Sequence, residues 1–175
     1  MNPYAKILGK RDPLRVAAST PAKIEALIRG VSARELGKRP QPGKWSIAEI
    51  IRHLAETEMV MCCRARWIAF EDNSTLVPFD QDKWASGWAR EKESAPESLE
   101  RLRVLRRSQI KMFKSVPRKD FKRTGYHPER GVVSLREQLE TLAGHDLNHL
   151  GQIERLAAPF KRKGGASGFA GHRSR

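Results

Sequence analysis

The stretch GHDLNHLGQI, residues 144–153, places two histidines four residues apart. On a helix His145 and His149 stand one turn apart and project from one face. Two imidazoles so placed suit a divalent metal, whose other positions stay open to water or substrate when few protein ligands hold it. A single histidine precedes them in RHLAETE, His53, and a neighbouring helix could bring it opposite the pair. The plain alternative is a set of polar helix-edge residues satisfied by water, since HxxxH arises often by chance. Asp146, between the two, falls within the apolar stripe at 100° per residue, and a buried carboxylate needs a partner. The acid after the first histidine resembles the HExxH helix of zinc proteases. Asp146 is one methylene short of that glutamate, however, and the only later histidine, His172, lies in a basic tail, so that reading is rejected.

The elements that must carry these residues are helices. The segment 20–36 begins with Thr20 and Pro21 and carries Ile24, Leu27, Ile28 and Val31 at helical spacing, with Gly30 and Ser32 positioned to break it. Ser46 and Glu49 form a capping box at the head of a helix over 46–70, whose stripe runs through Ile47, Ile50, Ile51, Leu54, Met61, Ala65 and Ile68. Ser94 and Glu97 repeat the cap, and Pro117 ends that helix. Ser134 and Glu137 repeat it again for a helix over 134–158 that Pro159 stops. No convincing strand alternation appears. The expectation is all-α, a four-helix bundle over residues 1–160, with helices 46–70 and 134–158 as neighbours. The connections 71–93 and 117–133 are too long for tight bundle turns. The first contains FDQDKWASGW, a candidate short helix, and the second GYHPERG.

Charge and cysteines bound the function class. The 175 residues carry a net +14. The tail KRKGGASGFAGHRSR, 161–175, supplies five of those charges without an acid and reads as flexible. The rest spreads over helical faces, as a solvated surface does. No nucleic-acid-binding pattern accompanies the charge, so specific nucleic-acid recognition is not expected. Cys62 and Cys63 are adjacent, form no CxxC and read as packing residues in a reducing compartment. No apolar run approaches the ~20 residues of a membrane helix. The N-terminal residues lack a signal-peptide block, and a cytoplasmic protein is the expectation.

The segments PGKWSIAEIIRHLAETE at 42–58 and HDLNHLGQIERL at 145–156, in that order, resemble the DinB-like superfamily of bacterial four-helix-bundle metalloproteins. DPLRVAASTPAKIEALIRGVSARELGKRPQPGKW and FDQDKWA resemble its members too, so that the likeness covers roughly residues 3–158. What the resemblance implies is one divalent metal, zinc or nickel, on three histidines from two helices. Carried over residue by residue, these are His53, His145 and His149. It further implies a thiol S-transferase or a hydrolase acting on a small molecule, with a low-molecular-weight thiol as a candidate partner and a homodimer as a candidate assembly. The competing reading is a non-catalytic, metal-stabilised bundle that binds a ligand or partner.

Other residues carry weaker expectations. Glu56, three after His53, reads as a solvated helix-face acid rather than a group beside the site. Asn148 and Gln152 flank the histidine pair and could orient a ring or bond to water equally well. His127, Glu129 and Arg130 sit on a loop that could close over the site. Trp45 reads as a hydrophobic staple before its helix, and Trp84 as a pocket-lining candidate. No residue is assigned as catalytic.

Overall fold

The structure, a computed structural model, describes residues 2–161. It is a mostly helical bundle, as the capping boxes and stripes require. Its helices in chain order are α1 (Ala5–Leu8), α2 (Pro13–Ile28), α3 (Ala33–Leu36), α4 (Ile47–Phe70), α5 (Gln81–Glu91), α6 (Ala95–Ser115) and α7 (Leu135–Lys161). The capping boxes at Ser46 and Ser94 form with both reciprocal hydrogen bonds. At Ser134 the backbone N–H donates to Glu137 Oε2 at 2.9 Å and receives the return bond through Oγ at 3.1 Å.

Four long helices, α2, α4, α6 and α7, make the bundle. Each of α4 and α2 packs on both α6 and α7, so the expected neighbours α4 and α7 do touch. Two apolar clusters fill the interior. One joins Ala65 and Ile68 of α4 to Ile110 and Phe113 of α6 and to Leu135, Leu139 and Leu142 of α7. The other joins Ile50 and Leu54 to Leu99 and Leu102, Leu150 and Ile153, and Ile24 of α2. Matching ends show that α4 and α6 run parallel while α7 runs against both. Parallel neighbours cannot be joined by a tight turn, because the chain must travel back along a helix of about 36 Å. That is why residues 71–94 are long, and why they carry α5, the short helix expected there.

Three sequence expectations need correction. The first helix begins at Pro13, not near Thr20, because the Asp12 side chain accepts from the N–H groups of Leu14 and Arg15. Pro21 therefore lies inside α2. It cannot bond the Ala17 carbonyl one turn back, and Arg106 Nη1 donates to that carbonyl instead at 2.6 Å. The chain does break at Gly30, whose φ is +78°, and α3 follows as a separate turn. Pro159 does not stop α7, which continues through it to Lys161. Its missing N–H falls in the last turn, where one lost bond costs little of the helix. Finally, the second connection holds an antiparallel hairpin, β1 (Thr124–His127) with β2 (Gly131–Ser134). Leu76 N–H donates to the Tyr126 carbonyl and Tyr126 N–H to that of Ser74, so the crossover is tied to β1. The tail 162–175 lies outside the described residues. No helix among the described residues is long and apolar enough to cross a membrane.

Candidate metal centre

His53 comes from the second turn of α4, and His145 and His149 from the middle of α7. Antiparallel packing of these helices brings the three together between the two apolar clusters. All are buried, at 2%, 8% and 7% exposure. His145 Nε2 lies 3.0 Å from His53 Nε2 and 3.1 Å from His149 Nε2. Metal–nitrogen bonds of about 2.0–2.1 Å place two ligand nitrogens about 2.9 Å apart at a right angle and about 3.3 Å apart at the tetrahedral angle. The observed spacings fall within that interval, and the three histidines are a group that could hold a metal ion.

The chemistry of the three rings points the same way. Burial, then the charge of its neighbour His149, pulls His53 down to about 3. Burial also holds His145 well below the ordinary value and lowers His149. All three are therefore neutral near pH 7, the form that ligates metal. His149 Nδ1 sits 3.0 Å from Gln152 Oε1. An amide oxygen only accepts, so Nδ1 carries the proton and Nε2 presents a lone pair. His145 Nε2 can donate to one neighbour at most. At least one close contact then has no hydrogen bond to hold it, unless a cation lies between the rings. The Nδ1 atoms of His53 and His145 have no hydrogen-bond partner among the described residues.

Aromatic rings wall the cluster. Trp45 lies 4.8 Å from His53 and Tyr4 meets His145 edge-on at 5.5 Å. Trp45 in turn contacts Trp88 of α5, whose indole N–H donates to Glu56 Oε1 at 2.8 Å. Glu56 is thus buried and holds α5 through Trp88 and Arg52; it is not the solvated acid its sequence position suggests. Trp45 does more than staple a helix, since it covers the His53 ring. Tyr4 can approach α7 only because residue 144 is glycine. A Cβ there would overlap Tyr4 Cβ and stand 3.0 Å from the Tyr4 carbonyl oxygen.

Two clefts reach the cluster. One of about 430 Å³ exposes His149 and Gln152 beside Trp45 and Arg155. The other, about 360 Å³, is lined by His53 and His145 together with Thr57, Arg64, His127, Glu129, Arg130 and Thr141. The hairpin loop therefore does bring His127, Glu129 and Arg130 to the site. Asn148 makes no hydrogen bond to the histidines among the described residues, and Trp84 lines a separate apolar hollow with Trp67 and Phe79. Tyr4, Thr57, Arg64 and Thr141 were missed by sequence reasoning. Thr57 and Arg64 follow His53 at four and eleven residues, both close to its helical phase, which was a legible signal. Nothing local to Tyr4 announces its position.

A second polar cluster lies across α7. Arg106 donates through Nη1 to Asp146 Oδ2 at 2.5 Å and through Nη2 to Oδ1 at 3.1 Å, and lies 2.9 Å from Glu58 Oε2. The buried Asp146 thus has the partner it requires. Burial works against the Arg106 charge, but the two carboxylates outweigh it. Burial pushes Glu58 up and the neighbouring Cys62 thiol up to about 12, so Cys62 is an inert packing thiol.

The molecule is a helical bundle with a buried three-histidine group that could hold a metal ion. The chain belongs to the DinB superfamily, whose family model matches residues 18–153. It is 25% identical over 143 residues to the "Putative metal-dependent hydrolase OB0782" of Oceanobacillus iheyensis, spanning 82% of this chain and 81% of that one. It is 22% identical over 145 residues to the "Putative metal-dependent hydrolase YfiT" of Bacillus subtilis, spanning 82% of each. The solved structure of YfiT superposes with a TM-score of 0.77 at 22% identity, covering 87% of this chain and 86% of that one. That protein is described as "a probable metal-dependent hydrolase with an unusual four-helix bundle topology", and the likeness extends to the fold.

Proposed function

We propose that the protein is a metal-dependent enzyme acting on a small molecule, with His53, His145 and His149 together holding one divalent ion, zinc or nickel. The observation that carries this reading is three buried, neutral imidazoles turning Nε2 toward one point with too few protons to satisfy one another. When bound, such an ion supplies Lewis acidity and lowers the pKa of water or of a thiol toward neutrality. Either nucleophile serves the proposal: water for hydrolysis, a low-molecular-weight thiol for S-transfer. The names of the relatives support the hydrolytic form.

The chain's own residues have distinct tasks in this reading. Gln152 fixes the His149 ring through Nδ1. Trp45 and Tyr4 cover His53 and His145 and keep bulk water from their ring faces. Glu56, by holding Trp88 against Trp45, keeps that cover in place. The cleft beside His53 and His145 has a volume suited to a small ligand.

Metal analysis of protein purified without an affinity tag tests the first half, followed by turnover of esters, amides and thiol–electrophile pairs with and without added metal. The expected result is bound zinc or nickel, with metal-restored turnover of one of these classes. Protein that holds no metal and gains none on titration would overturn the reading. Metal-dependent melting without turnover of any class would leave a metal-stabilised binding module.

A further inference from the structure

We propose that the cleft beside His53 and His145 recognises a carboxylate on the substrate, held by Arg64 and Arg130 with the reacting group turned toward the histidines. This rests on the metal reading above and adds the class of substrate.

The cleft is rich in donors. Arg64 is buried at 5% exposure. Its Nε and Nη2 both donate to the Val77 carbonyl, at 3.1 and 2.6 Å. Among the described residues its Nη1 has no partner and no carboxylate forms an ion pair with it. A second guanidinium, Arg130, lines the same cleft and makes one long hydrogen bond, 3.4 Å, to Thr141 Oγ1. Two arginines therefore face one cavity without an ion pair for either. Burial first, and then the neighbouring charge of Arg130, works against the charge of Arg64. Such an arrangement is costly unless a ligand anion completes it.

The neutral groups agree in sense. The Glu129 backbone N–H donates to His127 Nδ1 at 3.2 Å. The neutral His127 ring then carries its proton on Nε2, a further donor in the cleft. Thr57 Oγ1 is buried without a partner among the described residues. Against these donors stands one carboxylate, that of the exposed Glu129. Two guanidinium charges against one carboxylate leave the lining positive before any divalent ion on the histidines adds to it, so the cleft favours an anion. The exposed Glu129 opposes a phosphate monoester, with about −1.5 to −2 charges, more than it opposes a single carboxylate. The planar fork of a guanidinium also matches a carboxylate bidentately. Phe79 and Pro78 of the crossover and Tyr4 of the N-terminal segment supply apolar walls for the carbon frame between the two ends.

The test is titration of the purified protein with glutarate, followed by calorimetry and by amide chemical shifts, with uncharged glutaramide and inorganic phosphate as comparators. Glutarate is expected to shift the amides of Thr57, Arg64, His127 and Arg130. The half-buried Arg130 is replaced as Arg130→Gln, which should weaken glutarate by at least about tenfold and reduce the salt dependence of binding. Arg64→Lys, which keeps the charge and loses the fork, should weaken it too. Glutaramide binding as tightly as glutarate, phosphate binding more tightly, or Arg130→Gln binding glutarate unchanged would each overturn the assignment. Zinc content measured on the same samples separates the two proposals. Zinc retained with no glutarate bound defeats the carboxylate site alone. Glutarate bound by a protein that takes no zinc defeats the metal reading alone.

Discussion

Two polar clusters are buried on adjacent faces of α7, and they solve the problem of buried polarity in opposite ways. Around Arg106 the charges answer one another: its guanidinium meets Asp146, Glu58 and the Ala17 carbonyl, and only Arg106 Nε and Glu58 Oε2 in that group go without a hydrogen bond among the described residues. Around His145 they do not match, because three Nε2 atoms converge without a proton for every contact. Burial is the same for both. What differs is closure. A cluster whose opposite charges pair within it is structural, and one whose ring nitrogens converge without hydrogen bonds for every contact awaits something from outside.

The comparison can be broken from either side, and the largest effect belongs to the closed cluster. Arg106→Met strands two buried carboxylates and should cost about 3–5 kcal/mol in urea unfolding. His145→Leu in metal-free protein should change stability by no more than about 1 kcal/mol, since it removes an unsatisfied group. Equal losses would erase the distinction. Next in size is the response to zinc. At a thousandfold excess over its dissociation constant, zinc should stabilise the wild type by about 4 kcal/mol, seen as a rise in melting temperature. His53→Ala, His145→Ala and His149→Ala should each abolish most of that rise, and His127→Gln should keep it.

The pH dependence of metal-free protein sharpens the contrast further. The buried histidines have folded pKa values below their ordinary 6.5, with His53 at about 3. The unfolded chain therefore binds more protons in this range, and stability is full above 6.5 and lost as pH falls toward 3. The stability from the capping glutamates Glu49, Glu97 and Glu137, lowered from 4.5, is full above that value and is lost only as pH falls below it. Urea midpoints between pH 6.5 and 4.5 should thus slope downward with acid, and His145→Leu should flatten the slope; His127, which burial also lowers, adds to it as well. Gly144→Ala forces Tyr4 from His145 and should cost about 1–3 kcal/mol. The smallest effect on folding is expected from Gln152→Ala, which should leave the urea midpoint in place yet weaken zinc by roughly tenfold, as measured by competition with a chelator.

The parts of this molecule that were legible in its sequence are those governed by short-range rules. Serine–glutamate caps at 46, 94 and 134 placed three helix starts, and their stripes placed His53, His145 and His149 on inward-facing sides. The start of α2 was obscured because Pro21 resembles a first-turn proline, and its freed carbonyl is satisfied by Arg106, distant in sequence. The hairpin at 124–134 was hidden because four-residue strands are too short to display alternation. Glu56 was misjudged since its burial depends on Trp88, which arrives from the crossover. The cleft residues Tyr4 and Thr141 were not read for the same reason: they reach the cleft through the packing of α1 and α4 on α7. What the helical phase of His53 does reveal is Thr57 and Arg64, once one knows which face matters.

The Arg106 guanidinium touches one residue from each long helix: Ala17 on α2, Glu58 on α4, Asp146 on α7, and its own place on α6. During folding this makes it a device of cooperativity. Three helices that dock without α6 bury Asp146 and Glu58 without their guanidinium, and three that dock without α2, α4 or α7 leave Arg106 short of one of its acceptors. Partly assembled bundles are thereby penalised relative to both the open chain and the complete fold. Because α7 is one of the four, the helix bearing His145 and His149 reaches its final register in the same step that closes the bundle, so the histidine cluster is brought together all at once or not at all.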